Sequence, residues 1–159
     1  MVKVAVVYHS ETGNTRSMAE LIAGAAGETA EVSIMSVDEL DEKALEEAHA
    51  VAFGTPTYLG QMSWQMKKCL DTLPVSMAGK LGAAFASAGY FGGGSETAEV
   101  TVAKALMCRG MMVYSGGVGG GHPVTHFGAV SINKPEDSDA ERCAKLGRAV
   151  ATKAGELFG

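Results

Sequence analysis

Five runs of β-forming, mostly apolar residues alternate along this chain with segments of helical periodicity, and this alternation limits the fold more than any other feature. Most of these runs are apolar at nearly every position, as in parallel strands that helices cover on both faces. The runs are residues 3–8, 31–36, 50–55, 81–87 and 110–115. Successive βα units with right-handed crossovers build a doubly wound sheet. The sequence therefore predicts an α/β fold with a single five-stranded parallel sheet.

Between these runs, apolar residues repeat at the spacing that places them on one face of a helix. The repeats are Met18, Leu21, Ile22 and Ala25; Met66, Cys69, Leu70 and Leu73; Val100, Ala103 and Leu106; and Cys143, Leu146, Val150, Ala154 and Leu157. A shorter acidic helix is predicted within residues 40–48. Another apolar run, residues 129–132, follows a glycine-rich segment, so we expect the fifth strand to be interrupted and then to resume.

Length and composition fit one domain, residues 1–159. A chain of this length buries roughly 70% of the surface that its unfolded form exposes, so a sizeable core is expected. The formal charge is −5 and Lys and Arg form no cluster, which argues against nucleic acid and anionic membranes as partners. No apolar run approaches the ~20 residues of a membrane span, and no leader precedes the first strand. We therefore expect a cytoplasmic protein without membrane insertion.

The cysteines and histidines suggest neither a disulfide framework nor a metal site. Cys69, Cys108 and Cys143 are odd in number and far apart, so we expect reduced thiols in the core. His122 and His126 are four residues apart, but a proline and several glycines around them exclude the helix that a zinc pair of this spacing needs.

The segment after the first strand combines small polar side chains with the start of a helix. Such a junction directs unpaired backbone N–H groups and the positive end of the helix dipole toward one spot, which suits a phosphate monoester. The side-chain donors in this segment are Ser10, Thr12, Asn14 and Thr15. The loop has no lysine, so a cradle of uncharged donors is predicted rather than a P-loop. The alternative is that the segment only caps the helix, with Asn14 as N-cap.

Two further loops leave the predicted sheet at its carboxyl edge, where ligands bind in open α/β sheets. The loop of residues 56–62 carries Tyr58 beside Gly60, and the loop of residues 88–95 carries Tyr90 and Phe91 among four glycines. The ligand that suits these loops is a flat ring on a phosphorylated chain. One loop suits the phosphate, and the other two hold aromatic side chains beside glycine for the ring.

These loops resemble those of a known family. Ser10-Glu11-Thr12-Gly13-Asn14-Thr15 is similar to the FMN phosphate loop of flavodoxins, whose strand order is 2-1-3-4-5. The segments Gly54-Thr55-Pro56-Thr57-Tyr58-Leu59-Gly60-Gln61-Met62-Ser63 and Gly92-Gly93-Gly94-Ser95-Glu96-Thr97 resemble the tryptophan-repressor-binding-protein type of NAD(P)H:quinone oxidoreductase, which has the flavodoxin fold. The resemblance covers essentially the whole chain.

The resemblance implies FMN as the cofactor and assigns residues to it position by position. The residues implied to hold the phosphate are Ser10, Glu11, Thr12, Gly13, Asn14 and Thr15. Those implied to edge the isoalloxazine ring are Pro56, Thr57, Tyr58, Leu59 and Gly60 on one side and Ser87, Ala88, Gly89 and Tyr90 on the other, with Gly93 in the same loop. No catalytic residue and no metal ligand is assigned.

Two functions follow from this resemblance. In the first, an enzyme passes electrons from NAD(P)H through FMN to a quinone or similar acceptor. Since no glycines satisfy G-x-G-x-x-G, NAD(P)H would be a transient donor rather than a bound cofactor. The alternative is a one-electron carrier between redox proteins. The resemblance leaves a homo-oligomer open.

The chain departs from the quinone reductase pattern on the substrate side. Residues 73–80 are short where that family carries an insertion with an aromatic residue at the quinone site. Cys108 and Arg109 stand where the family usually shows a histidine pair. The missing insertion and the small size of the chain favour the carrier. The segments 54–57 and 92–96 and the mild net charge favour the enzyme, which is the main expectation.

Overall fold

The computed structural model describes all 159 residues and shows the predicted alternation of strands and helices. The elements in chain order are β1 (Lys3–Tyr8), α1 (Asn14–Ala26), β2 (Glu31–Ser36), α2 (Glu42–Glu47), β3 (Ala50–Tyr58), β4 (Gln61–Met62), α3 (Trp64–Thr72), β5 (Leu81–Ala88), α4 (Ser95–Cys108), β6 (Met112–Val113), β7 (Ala129–Ile132) and α5 (Asp137–Phe158). None of the helices is both long enough and apolar enough to cross a membrane.

The main sheet has the order β2-β1-β3-β5-β6, and all of these neighbours are parallel. This is the predicted order 2-1-3-4-5, because the short strand β4 only pairs antiparallel with the end of β3. The α/β class and the doubly wound parallel sheet are therefore confirmed. The β3–β4 hairpin is an addition, since the sequence predicts a loop over residues 56–62.

The last strand of the sheet is divided, as the sequence predicts. Strand β6 pairs with Leu81 and Gly82 at the start of β5, and β7 pairs with the end of β5 from Phe85 onward. Strand β6 is shorter than the predicted run of residues 110–115. Its ladder ends where the Tyr114 N–H donates to Gly82, and the positive φ of Gly116 then turns the chain away from the sheet.

Successive residues of the strands point to opposite faces, so each apolar strand contributes to two cores. Val4 and Val6 of β1 lie in a core with α1 and α5, whereas Ala5 and Val7 lie in a second core with α3 and α4. Burial on both faces explains why the strands are apolar at nearly every position.

Four residues depart from their predicted burial. Leu21 of α1 is half-buried at the edge of its core. Val100 is half-buried, because the buried face of α4 runs through Ala98, Val102 and Leu106 instead. Leu157 is exposed, because the buried face of α5 ends at Ala154. Cys69 and Cys143 are buried thiols as expected, but the expectation for Cys108 is wrong, since this last residue of α4 is exposed.

Helix α5 packs closely on α1 through a glycine. A Cβ atom added to Gly147 would lie 2.2 Å from the carbonyl oxygen of Ile22 and 3.2 Å from the Cβ of Ala25. The first of these contacts involves backbone, so it cannot be relieved by a side-chain rotation. The two helices therefore owe their close approach to the missing side chain at this position.

We predict that Gly147→Ala lowers the free energy of unfolding by about 1–3 kcal/mol, because the added methyl group forces the helices apart. Gly155 lies on the same helix with no atom within 4 Å of an added Cβ. The matched variant Gly155→Ala should therefore raise the free energy of unfolding by up to about 1 kcal/mol through helix propensity alone. Urea denaturation measures both values, and equal changes in the two variants would contradict this packing argument.

Candidate functional site

The first loop of the site leaves β1 and enters α1 through a glycine. Gly13 has φ 97° and is the N-cap, so Asn14 is already the first helical residue. The alternative with Asn14 as N-cap is therefore wrong. The reason is that glycine adopts the left-handed backbone at this position without the cost that a Cβ atom brings. The hydroxyl oxygen of Ser10 accepts a hydrogen bond from the Gly13 N–H at 3.1 Å.

Several donors of this loop have no partner within the protein. The backbone N–H groups of Asn14, Thr15 and Arg16 donate to no protein acceptor, and the side chains of Thr12 and Asn14 form no hydrogen bond. These groups surround the N-terminus of a 13-residue helix, where the dipole favours an anion. A phosphate monoester fits this set of donors, because it offers several acceptor oxygens and negative charge together.

The second loop is a β-hairpin. Leu59 and Gly60 form its two-residue turn with φ values of 50° and 74°, and a type I′ turn requires such positive values at both central residues. Leu59 is fully exposed at the tip, and Tyr58 is 41% exposed beside it. Partial burial and the negative charge of Glu11 raise the pKa of the Tyr58 hydroxyl above its ordinary value. The hairpin thus lies within electrostatic reach of the first loop.

The third loop follows β5 and touches the hairpin. A Cβ atom added to Gly94, which has φ 95°, would lie only 2.9 Å from the Cα of Gly60. Tyr90 and Phe91 of this loop are 70% and 93% exposed. Glycine at position 94 therefore lets the second and third loops meet, while the aromatic side chains between β5 and this contact face solvent.

Ser87, near the end of β5, joins all three loops. Its hydroxyl is 2.8 Å from the hydroxyl of Thr15, and both side chains are buried. Its carbonyl oxygen accepts a hydrogen bond from the Thr57 hydroxyl, also at 2.8 Å. The structure therefore brings together the three segments that the sequence singles out, although Thr15 and Ser87 are 72 residues apart.

The sequence-predicted residues lie in these segments as follows. The first loop contains Ser10, Glu11, Thr12 and Gly13, and α1 begins with Asn14 and Thr15. Strand β3 ends with Pro56, Thr57 and Tyr58, and the hairpin turn is Leu59 and Gly60. Strand β5 ends with Ser87 and Ala88, and the loop that follows contains Gly89, Tyr90 and Gly93.

The first loop also takes part in a series of side-chain hydrogen bonds that the sequence does not predict. The buried His9 ring places Nδ1 2.9 Å from the Ser63 hydroxyl and Nε2 3.1 Å from a carboxylate oxygen of Glu11. The Gln65 amide donates to the same oxygen of Glu11 at 3.1 Å. Ser63 is recognisable from sequence as a cap three residues before Met66, whereas nothing adjacent in sequence marks His9.

The edge of the site is open. Trp64 at the start of α3 is 67% exposed. The segment that replaces the quinone-site insertion turns inward instead, because Leu73, Val75 and Met77 are buried in the core with α3 and α4. No aromatic residue from this segment covers the site.

Comparison with known proteins agrees with this geometry. The family model described as Flavodoxin matches residues 6–120, which include all three loops. A flavodoxin from Clostridium saccharobutylicum is 41% identical over 159 residues, covering 98% of this chain and 99% of that protein. An NAD(P)H dehydrogenase (quinone) from Paraburkholderia phymatum is 34% identical over 205 aligned positions, covering both chains completely.

Among solved structures, a WrbA-like flavodoxin from Agrobacterium tumefaciens has a TM-score of 0.82 at 26% identity and covers 98% of this chain and 99% of its own. This likeness over nearly the whole of both chains confirms the resemblance that the sequence shows. This chain belongs to the flavodoxin family.

Proposed function

We propose that this protein binds one FMN noncovalently at its three joined loops and carries electrons one at a time between larger redox proteins. Membership of the flavodoxin family implies FMN. The unpaired N–H groups at the start of α1 support a phosphate there, and the exposed aromatic residues of the other two loops support a flat ring beside it. When bound, FMN supplies a ring that accepts and returns electrons.

Each part of the site has a role in this proposal. The backbone of residues 10–15 and the hydroxyl groups of Ser10 and Thr12 bind the phosphate. The hairpin turn and the loop after β5 flank the ring, with Tyr58 and Tyr90 as its aromatic neighbours. Ser87 fixes the spacing between the phosphate loop and the ring loops, because it is bonded to both Thr15 and Thr57.

The open apolar edge is the observation that carries the choice of a carrier. Leu59, Tyr90 and Phe91 are largely exposed around the site. Clustered apolar side chains on a surface favour contact with a partner protein. Since the apolar side chains of residues 73–80, namely Leu73, Val75 and Met77, pack into the core instead of over the site, a large partner has access to this edge, and a small quinone finds no enclosing wall in that segment.

The lengths of the relatives support the same choice. The Clostridium flavodoxin aligns over 159 positions, the length of this chain. The alignment with the Paraburkholderia quinone dehydrogenase is 205 positions long. That protein therefore contains segments that have no counterpart among the 159 residues present here. Reduction of quinones by NAD(P)H is the second candidate function, because that dehydrogenase is nevertheless 34% identical over its whole length.

Anaerobic mixing of the FMN-loaded protein with NADH or NADPH separates the two functions. We expect NAD(P)H alone to bleach the visible flavin absorbance no faster than it bleaches free FMN. A catalytic amount of an NADPH-dependent flavoprotein reductase should accelerate the bleaching about tenfold or more, because it supplies a protein donor. Rapid direct reduction with repeated turnover of benzoquinone would instead assign the enzyme and overturn the carrier.

We predict that Glu11→Gln strengthens FMN binding about two- to fivefold at low salt, because it removes a negative charge beside the phosphate. Fluorescence titration of the apoprotein measures the affinity, and riboflavin, which lacks the phosphate, should bind equally to both proteins. Glu28→Gln is the matched control, since Glu28 lies beyond the opposite end of α1. An equal gain for riboflavin would show that the effect does not come from the phosphate.

We predict that Thr15→Val lowers the free energy of unfolding of the apoprotein by about 1–2 kcal/mol, because the Ser87 hydroxyl loses its buried partner. The same change should weaken FMN binding about tenfold, since the phosphate loop is no longer fixed to β5. Thr15→Ser keeps the hydroxyl and should remain close to the wild type in both urea denaturation and FMN titration. A Val variant that binds FMN normally would exclude this role for the bond.

A further inference from the structure

A cavity of about 310 Å³ lies next to the third loop of the site, and none of the residues assigned to FMN lines it. It is bounded by the loop after β5, the first turns of α4, the strand β7 and the start of α5. Its volume is at the lower end of the range of roughly 300–1,000 Å³ that is typical of small-molecule pockets. Apart from Phe91, which also belongs to the exposed apolar edge, its lining has no role in the proposed electron carrier.

Glu99 of α4 lies in this cavity and is 2% exposed. Its oxygen Oε1 is buried without any hydrogen-bond partner. Burial, with a contribution from the nearby Glu96, raises the pKa of the Glu99 carboxyl to about 8, although Arg142 acts in the opposite direction. Glu99 is thus mainly protonated at neutral pH, and its carboxyl group lacks the donor that buried oxygens normally have.

The other charged groups of the cavity leave Glu99 without a protein cation. Arg142 donates to a carboxylate oxygen of Asp139 at 2.7 Å and to the carbonyl oxygen of Val124 at 3.1 Å. The second oxygen of Asp139 accepts from the Ile132 N–H. Arg142 is therefore held by the start of α5 and the loop before β7. Because Arg142 is paired with Asp139 and Glu99 is mainly protonated, Glu96 is the remaining charged carboxylate of the lining, and His126 is the other titratable group.

Apolar side chains form the rest of the lining. Phe91 and Phe127 lie at the cavity with 93% and 56% of their surface exposed, and Val124, Val130 and Ile132 complete the apolar part. Aromatic faces attract cations as well as apolar groups. No group of three or more His, Cys, Asp or Glu side chains is arranged to hold a metal ion. An organic cation fits these features better than a metal ion or an anion does.

We infer that this cavity binds a small primary ammonium compound with an apolar body, whose ammonium group donates to the Glu99 carboxyl group while the body lies against Phe91 and Phe127. The ammonium supplies both the missing donor and an opposite charge. Because the charged carboxylate is the form that pairs with a cation, binding converts Glu99 from acid to carboxylate and releases its proton to solvent. A neutral molecule of the same shape gains neither the charge nor the proton release.

Titration calorimetry of the FMN-loaded protein tests this inference with benzylamine as the probe and benzyl alcohol as its neutral analogue. At about pH 7, two buffers of different ionisation enthalpy should reveal a single saturable site that releases about one proton per benzylamine. Benzyl alcohol should bind about tenfold more weakly or not at all. Equal binding of the two compounds, or no saturable binding of benzylamine, would overturn the inference.

Variants locate the binding at Glu99. Glu99→Gln and Glu99→Met should each weaken benzylamine binding about tenfold and abolish the proton release. Glu141→Gln removes an exposed carboxylate of α5 that does not line the cavity, and this variant should retain both. Retained binding in a Glu99 variant would contradict the assignment. The flavin spectrum is recorded throughout, so loss of FMN, which concerns the proposed electron carrier, is distinguished from loss of amine binding.

Discussion

The parallel pairing of β3 with β1 on one side and β5 on the other determines where every other part of this protein lies. Because the three strands run in one direction, their carboxyl ends meet at one edge, and the loops that leave them meet there too. The pairing also buries both faces of the sheet, which is why α1 and α5 cover one side and α3 and α4 the other. The site is thus a consequence of the sheet.

Hydrogen bonds and a close contact between the loops hold them together, in addition to the pairing of the strands that they leave. The hydroxyl groups of Thr15 and Thr57 both bond Ser87, and Gly94 allows the third loop to touch Gly60. The side chains that fix these loops therefore lie on regular elements, with Thr57 and Ser87 near the ends of β3 and β5 and Thr15 in the first turn of α1. A site arranged in this way is largely formed before its ligand arrives, which lowers the ordering cost of binding.

The sequence predicts the strands and the three loops, because these depend on local patterns of apolar, glycine and hydroxyl residues. The strand order is predicted by the family resemblance instead. The sequence does not predict the series of hydrogen bonds from Ser63 through His9 to Glu11, since the bond between His9 and Ser63 joins residues 54 positions apart and has no local pattern. The β3–β4 hairpin is missed because Leu59 adopts a positive φ that is unusual for its residue type. The exposure of Cys108 depends on what covers α4, which sequence periodicity does not reveal.

The division of the last strand affects how the molecule behaves toward its own copies. A continuous outer strand presents a row of free N–H and C=O groups with which a strand of another molecule can form a ladder. Here that border of the sheet consists of Met112–Val113 and Ala129–Ile132, and glycines lead the chain away between them. Neither piece offers enough consecutive groups for a stable ladder between molecules. The glycine-rich interruption therefore shortens the ladder that this border can offer, so the six-residue strand β2 is the longer of the two outer strands.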